Sequence, residues 1–467
     1  MANYTLLFLA VLTISFTYGQ SNDKKLDSLF YKLYNEKKFN GNILVAEKGK
    51  VVYEKAFGLA NEENKQNLTL HSIFELASVS KQFTAMGIVI LKEKGKLKYA
   101  DPIGEYIPEL SFYKNVTIKN LLQHTSGMPD YMELLDSLLI DESWKNKTKI
   151  ATNKDIVSVF AKHKPKLLFQ PNTKWEYSNT GYALLATIIE NVTGKTYGDF
   201  LKENIFLPLN MTNSFVYCRR LSPKRIENYA FGYVYSNSLK KNILPDSVPR
   251  LDVMVYCLDG IVGDGTVNSN LEDLLKWDKA LNTEKLVSQN SLKQIFSSGI
   301  LNNKKPTDYG FGWSIENSKK FGKIVKHSGG WPGYKTYIER HIDNDKTIIF
   351  LENNDNPKIS NPINEIRNII YNIAVNESVK VNLSTLQGYA GLYLTDKGND
   401  KKFIIDNNEL FIVINEQVKL RLEPYTQTKF KVVGFSPEVE IEFFIENGKV
   451  IKHIATQEGR KVEAKKH

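Results

Sequence analysis

The stretch Ser78-Val-Ser-Lys-Gln-Phe-Thr-Ala-Met-Gly-Ile-Val-Ile-Leu91 places a serine and a lysine at the start of a long apolar run. Lys81 follows Ser78 by three residues, so the two side chains share one face of a helix. No other residue from 77 to 91 is charged, and a helix that is apolar on nearly all faces is a buried one. A buried lysine beside a serine hydroxyl can activate that serine as a nucleophile.

A second polar group, Tyr177-Ser-Asn179, falls in a predicted loop just before a helix that begins near Gly181. Side chains two residues apart in an extended segment project in the same direction, so Tyr177 and Asn179 are expected to face one site. A tyrosine beside a cation can serve as a base, and an asparagine both donates and accepts hydrogen bonds. Taken alone, the same residues also fit an ordinary loop tyrosine followed by a helix cap.

The third group is His327-Ser-Gly-Gly-Trp-Pro-Gly333, which joins two predicted strands. Glycines in a strand let a ligand approach the backbone closely, and backbone N–H groups there can form an oxyanion hole. A glycine-rich hairpin turn has a similar composition, so this group alone does not separate the two interpretations.

Strand patterns lie at both ends of the region that holds these groups. Gly41–Glu47 and Val51–Phe57 predict a hairpin, and further strands are predicted at Tyr309–Ile315, Lys323–His327, Tyr334–Arg340 and Thr347–Leu351. The segments between are mostly helical, with the clearest helices at Ile118–Gln123, Asp155–Phe160, Gly181–Asn191 and Leu271–Leu281, and a final helix is predicted at Asn364–Ile373. We therefore predict an α+β domain over residues 22–375, in which an antiparallel sheet made from both ends is flanked by helices and a helical subdomain is inserted.

A second, all-β unit is predicted over residues 381–467. Five segments read as strands, namely Lys402–Ile405, Glu409–Ile414, Gln417–Leu422, Val439–Ile445 and Lys449–Ile454. The Asn447-Gly448 pair suits a type I′ turn between the last two. We expect a small barrel or sandwich of about 80 residues that serves as a packing or binding appendage.

The N-terminal residues predict export. Leu6–Phe16 is uncharged and apolar, and small residues at Thr17 and Gly19 suit cleavage near Gln20. This is the length of a signal-peptide core and is too short to span a bilayer. We expect a signal peptide at residues 1–20, a periplasmic or secreted mature chain, and no transmembrane segment in it.

The composition favours a globular protein with a lysine-rich surface. The formal net charge is +10, with lysines scattered among acidic residues, which indicates a solvated surface or attraction to anionic cell-wall or lipid surfaces. No nucleic-acid motif is present. Cys218 and Cys257 are the only cysteines, so one disulfide is possible in an exported chain.

Together the three groups resemble the penicillin-recognising serine hydrolases, in particular the class C β-lactamase and penicillin-binding protein branch. That family orders its motifs as Ser-x-x-Lys, Tyr-x-Asn, and Lys-Thr-Gly or His-x-Gly. Here they read Ser78…Lys81, Tyr177…Asn179 and His327…Gly329. Lesser matches to the family are Leu121–Pro129, Gly263–Trp277 and Tyr309–Trp313. The resemblance covers about residues 25–375 and implies the β-lactamase/transpeptidase-like fold.

The resemblance also implies roles. Ser78 would attack a carbonyl and become acylated, while Lys81 and Tyr177 would share the base work as a coupled pair. Asn179 would orient Lys81 and the substrate, and the N–H groups of Ser78 and Gly330 would hold the oxyanion. No metal or cofactor is needed. The expected substrate is a small molecule or a peptide, and the cell wall is one source of such compounds.

His327 departs from the lysine that true β-lactamases carry at this position. A histidine is mostly neutral at pH 7, so weaker attraction of a substrate carboxylate is expected. Members with His-x-Gly include esterases and D-amino-acid peptidases, so an ester, a D-amino-acid peptide and a β-lactam amide all stay open as substrates.

Two rival interpretations stay open beside the acyl-enzyme. One is a Ser-His-Asp triad in which His124 or His327 serves Ser126 or Ser328, although no Gly-x-Ser-x-Gly elbow occurs. The other is a non-hydrolytic penicillin-binding receptor or sensor of the cell wall with the same fold.

Overall fold

The computed structural model describes residues 22–138, 147, 149–355, 361–373, 379–395, 400–414, 418–433, 439–457 and 460–467. The predicted signal peptide lies outside the described residues. The chain forms two compact units, Met1–Pro362 and Ile363–His467. The predicted first domain runs to residue 375 and so extends past the end of the first unit, and its bounds stay a prediction.

The first unit contains fourteen described strands and ten described α-helices. The strands are β1 (Gly41–Glu47), β2 (Lys50–Phe57), β3 (Leu59–Asn61), β4 (Gln66–Asn67), β5 (Phe74–Glu75), β6 (Phe215–Val216), β7 (Tyr233–Ser236), β8 (Lys241–Ile243), β9 (Val267–Ser269), β10 (Ser314–Ser318), β11 (Gly322–Trp331), β12 (Tyr334–His341), β13 (Lys346–Glu352) and β14 (Asn354–Asp355). The α-helices are α1 (22–35), α2 (Lys81–Glu93), α3 (Ile118–Leu122), α4 (Tyr131–Leu138), α5 (Asn153–His163), α6 (Asn179–Thr193), α7 (Tyr197–Leu201), α8 (Leu251–Cys257), α9 (Leu271–Ala280) and α10 (Gln289–Ile295).

The main sheet has six antiparallel strands in the order β10-β11-β12-β13-β1-β2. The N-terminal β1 pairs with β13 along its whole length, from Gly41 opposite Glu352 to Glu47 opposite Lys346. Both strands are buried at nearly every residue, as expected for the centre of a sheet that is covered on both faces. This pairing confirms the prediction that the two ends of the region make one antiparallel sheet.

Helix α2 lies buried within the first unit. Every residue from Lys81 to Leu91 is buried, and Phe83 packs its ring 4.6 Å from the ring of Trp277. The helix ends where Gly95 adopts a φ of +68°, a conformation that glycine reaches without steric strain. Ser78 lies in the single 3₁₀ turn Ala77–Ser80 that leads directly into α2.

The predicted strand Tyr309–Ile315 is too long by five residues, because regular pairing with β11 begins at Ser314. Two glycines explain the difference. A Cβ on Gly310 would lie 2.1 Å from the Ile295 carbonyl oxygen, and Gly312 has a φ of +78°. The segment therefore folds as a tight loop against the neighbouring helices before the strand starts.

The second unit starts with α11 (Ile363–Ile370) and α12 (Leu383–Tyr389) and continues as a closed barrel. Its eight strands are β15 (Gly391–Leu394), β16 (Lys401–Asp406), β17 (Glu409–Val413), β18 (Lys419–Pro424), β19 (Lys429–Val432), β20 (Val439–Glu446), β21 (Lys449–Gln457) and β22 (Arg460–Lys466). Asn447 and Gly448 have φ values of +49° and +74°, as a type I′ turn requires. The all-β prediction is confirmed, and the architecture is a barrel.

Candidate active site

The serine turn is held in an unusual backbone conformation. Ala77 has a φ of +47°, which is uncommon for a residue with a Cβ and favours a functional constraint. On either side of it, the Leu76 N–H donates to the Val267 carbonyl and the Val267 N–H donates to Ser80 Oγ. These bonds tie the turn to β9 and leave the partly exposed Ser78 facing a cavity.

Lys81 is fully buried and each of its three ammonium protons has a partner. Its Nζ donates to Ser78 Oγ at 3.1 Å, to Asn179 Oδ1 at 2.9 Å and to the Asp264 carbonyl oxygen at 2.8 Å. A buried charge needs hydrogen bonds of this kind to persist. The structure thus brings the first two sequence groups into direct contact.

The second group lies at the N-terminus of α6. Asn179 is the first residue of that helix, earlier than the predicted start at Gly181, and its N–H donates to Asp130 Oδ2 at 2.6 Å. Lys81 Nζ lies 4.9 Å from the centre of the Tyr177 ring, within the range of a cation–π contact. Tyr177, Asn179 and Ser78 line the same cavity.

Two residues of the third group, Gly330 and His327, differ in whether they line the cavity. Gly330 lines the cavity with Ser78, as the predicted oxyanion role requires. Gly329 packs on the serine turn, and a Cβ there would lie 2.2 Å from the Leu76 carbonyl oxygen. Only glycine allows β11 to approach the turn this closely.

His327 is buried and does not line the cavity. Its Nδ1 lies 2.7 Å from the Ser328 carbonyl oxygen, which can only accept, so Nδ1 carries the proton. Nε2 then accepts from the Tyr309 hydroxyl at 2.9 Å. Burial and the nearby Lys81 ammonium lower the pKa of His327 to about 3. With both ring nitrogens engaged inside the protein, a direct hydrogen bond to substrate would require one of these bonds to break.

The His124 ring packs against the Tyr177 ring. Their ring centres are 4.4 Å apart, and His124 Nδ1 accepts the Ser178 N–H at 3.2 Å. Burial, and to a smaller extent the Lys81 ammonium, lower the pKa of His124 well below its ordinary value. Within the described residues neither His124 nor His327 is hydrogen-bonded to a serine hydroxyl, so the geometry does not support the Ser-His-Asp rival.

Two carboxylates of the site have no role in the sequence interpretation. Asp264 lines the cavity and accepts the Tyr131 hydroxyl at 2.8 Å. Burial raises the pKa of Asp264, and the Lys81 ammonium offsets part of that rise. The Gly263–Trp277 match could have drawn attention to Asp264. Glu75 also lines the cavity, and burial together with the Asp259 charge raises the pKa of Glu75 to about 7.

The cavity has a volume of about 260 Å³. Within the described ranges of the chain, no group of three or more histidine, cysteine, aspartate or glutamate side chains is arranged to hold a metal ion, and no helix is long and apolar enough to cross a membrane. Cys218 and Cys257 are not joined by a disulfide.

The fold and the Ser-Lys-Tyr-Asn constellation are those of the class of penicillin-recognising serine hydrolases. The Beta-lactamase family model matches residues 29–368, and the chain belongs to that family. It is 41% identical to penicillin-binding protein 4* of Bacillus subtilis strain 168 over 95% of this chain and 99% of that protein. It is 30% identical to the putative penicillin-binding protein PbpX of the same strain over 71% of this chain and 75% of that protein.

Solved structures agree on the fold. The octameric penicillin-binding protein homologue from Pyrococcus abyssi superposes with a TM-score of 0.65 at 24% identity and covers 94% of this chain and 99% of its own. The D-amino acid amidase from Ochrobactrum anthropi SV3 superposes with a TM-score of 0.58 at 22% identity, covering 76% of this chain and 97% of its own.

Proposed function

We propose that this protein is an acyl-transferring hydrolase that uses Ser78 as its nucleophile and releases the acyl group to water. One observation carries the proposal. The only cation beside the Ser78 hydroxyl within the described part of the site is Lys81, fully buried and held by Asn179 and the Asp264 carbonyl. A desolvated ammonium adds little or nothing to the stability of a folded core. Its presence beside the Ser78 hydroxyl therefore indicates a catalytic role.

In the acylation step, Ser78 Oγ forms a bond to the substrate carbonyl carbon. Its proton passes to the Lys81–Tyr177 pair, in which the Tyr177 oxygen accepts it because the Lys81 ammonium has no free lone pair, and the carbonyl oxygen becomes an oxyanion held by the N–H groups of Ser78 and Gly330. Such donors are worth about 3 kcal/mol each in comparable sites. When the tetrahedral intermediate collapses, the bond to the leaving oxygen or nitrogen breaks and the stored proton moves to it. Water then attacks the acyl-enzyme by the same route, with Tyr177 as base.

Substrates that do not depend on a carboxylate fit this site best. His327 is held neutral at the position where β-lactamases place a lysine, so it adds no positive charge for a penicillin carboxylate. One solved homologue of the same fold is a D-amino acid amidase. We therefore propose an ester or a small amide, with D-amino-acid compounds of cell-wall origin as candidates, and an exported location for the enzyme.

Intact-protein mass spectrometry tests the proposal. The wild type, Ser78→Ala and the control Ser126→Ala would each be mixed with an activated phenyl ester and, separately, with a penicillin. We expect the acyl mass and the product with the wild type and Ser126→Ala, and neither with Ser78→Ala. Equal behaviour of all three proteins would remove Ser78 as the nucleophile. A stable acyl mass without turnover on either compound would favour the penicillin-binding receptor.

A further inference from the structure

The cavity that contains Ser78 has an acidic wall, although the whole chain carries a formal charge of +10. Glu75, Asp259 and Asp264 all line it, and no lysine, arginine or histidine does so within the described residues. The wall lies in the cavity of the proposed nucleophile, where a substrate must bind.

The three carboxylates differ in how far the protein satisfies them. Asp259 accepts the Arg220 guanidinium at 3.0 Å and the N–H groups of Arg220 and Leu221 at 2.7 and 2.9 Å. Asp264 accepts the Tyr131 hydroxyl. Glu75, by contrast, receives no hydrogen bond or ion pair from the described residues, and only more distant charges act on it.

Glu75 is fixed in place by its backbone. It is the last residue of β5, where it pairs with Asn268 of β9, and it precedes Ser78 by three residues. Its side chain is partly buried. A partly buried carboxylate without a partner is costly, and the pKa of about 7 reflects that burial. A cation arriving in the cavity would remove the cost.

The arginines close to Glu75 are occupied elsewhere. Arg220 donates from Nε and Nη2 to Asp246 at 2.7 and 2.9 Å, in addition to its bond with Asp259. Arg219 donates to Asp246 at 2.7 Å. Neither arginine lines the cavity. The position next to Glu75 is therefore open to a cation from outside the protein.

We propose that Glu75 is a specificity-determining residue that binds the ammonium group of the substrate, so that the enzyme acts on α-amino acyl esters or amides, including peptides with a free amino terminus. This inference rests on the proposed function and names the substrate class for the same site. The aromatic rings of Tyr217 and Trp331 line the cavity as well, and rings of this kind favour cations. A penicillin, which brings a carboxylate and no required ammonium, would face repulsion from the same wall.

The test measures binding without chemistry. Isothermal titration calorimetry at pH 7 would compare D-phenylalaninamide with (R)-2-hydroxy-3-phenylpropanamide, its neutral analogue of nearly equal shape. Both would be titrated into Ser78→Ala, Ser78→Ala/Glu75→Gln and Ser78→Ala/Glu75→Asp. The matched control is Ser78→Ala/Glu63→Gln, which removes one negative charge at an exposed residue outside the cavity.

We expect the ammonium ligand to bind Ser78→Ala at least tenfold more tightly than the hydroxy ligand. Glu75→Gln should abolish that preference, Glu75→Asp should retain part of it because the charge remains, and Glu63→Gln should leave it unchanged. Equal affinity of the two ligands for Ser78→Ala, absence of binding by both, or a preference that survives Glu75→Gln would overturn the inference. Failure of Ser78 acylation in the mass-spectrometry experiment would instead contradict the proposed function, which this titration does not probe. Melting temperatures of all four proteins would identify a variant that is misfolded.

Discussion

The two compact units differ in how many hydrogen-bond partners they give to a buried ionisable side chain. In the first unit Lys81 is fully buried and its three ammonium protons are all donated. In the barrel His453 is 1% exposed, and neither of its ring nitrogens has a hydrogen-bond partner among the described residues. The rings of Tyr393 and Phe403 lie 5.1 and 5.0 Å away. Burial lowers the pKa of His453 to about 4.

The difference separates a functional buried charge from a packing residue. Lys81 is retained with a complete set of partners, although taking a charge out of water carries a large desolvation penalty. His453 has no partner and stays neutral, so it fills space among aromatic rings. Full satisfaction of a buried charge beside a reactive hydroxyl is therefore the better sign of function, and four substitutions test that contrast.

The largest effect is expected for Lys81→Met. Removing the ammonium beside Ser78 should lower kcat/KM toward an activated ester by about 1000-fold or more, because the positive charge that favours proton transfer from Ser78 to Tyr177 and the orientation of the Ser78 hydroxyl are lost together. The melting temperature should fall, because the buried oxygens of Asn179 and Asp264 lose the donor that satisfies them, although the apolar side chain itself has no desolvation penalty.

Steady-state kinetics and differential scanning calorimetry would measure both quantities. Lys94→Met, at the exposed end of the same helix, is the control and should leave kcat/KM unchanged. Retained activity in Lys81→Met would remove Lys81 from the mechanism and weaken the link between buried charge and function.

The next largest effect is expected in the barrel, for His453→Phe. Since the folded-state pKa of His453 is below its ordinary value of 6.5, the folded state disfavours the proton. The stability is therefore fully present above about pH 6.5 and is lost as the pH falls toward 4. The shift corresponds to about 3 kcal/mol at most.

Hydrogen exchange of barrel amides between pH 7 and 4, corrected for intrinsic rates, would follow this loss. His453→Phe should abolish most of it, whereas the exposed His467→Phe should behave as the wild type. An equal acid loss in His453→Phe would show that other groups destabilise the barrel.

The difference between local and distant contacts explains which features the sequence predicts. The Ser78–Lys81 pair, the individual strands of the main sheet and the Asn447-Gly448 turn depend on local spacing, and the sequence shows local spacing directly. The partners of Lys81 are not local, because Asn179 and Asp264 follow it by 98 and 183 residues. Glu75 gives no signal in the sequence, since Asp259 and Asp264, which line the same cavity, lie far along the chain.

Strands of the barrel were missed for a related reason. Arg460–Lys466 reads Arg-Lys-Val-Glu-Ala-Lys-Lys, with only two apolar residues. Its strand conformation follows from pairing with β21 on one side and β15 on the other. Closure of a barrel satisfies the backbone of such polar segments, and no hydrophobic pattern is needed to mark them.

A smaller effect is expected for Tyr309→Phe in the first unit. The change removes the hydroxyl that donates to His327 Nε2 and leaves a buried acceptor unpaired, which typically costs about 1–3 kcal/mol of stability. Because His327 lies on β11 with the predicted oxyanion donor Gly330, we expect kcat to fall by about tenfold as well.

Kinetics and chemical denaturation of the full chain would test this pair of effects. Tyr113→Phe is the matched control, since its buried hydroxyl donates to the Pro165 carbonyl and Tyr113 does not line the cavity. It should lose stability without losing activity. If both variants kept full activity, His327 would have no measurable influence on the oxyanion edge.

The smallest effect is expected for Gly448→Ala in the barrel. The φ of +74° costs a residue with a Cβ about 1 kcal/mol, and no neighbour lies within 4 Å of the added Cβ, so the cost is purely conformational. Gly388→Ala, in α12, has a Cβ position 4.0 Å from Val450 and should be neutral or stabilising by up to about 1 kcal/mol. Hydrogen exchange of the β20 and β21 amides would report both changes. A loss of equal size in the two variants would mean that crowding, and not the left-handed turn, limits the barrel, and the conformational basis of its predicted hairpin would then be wrong.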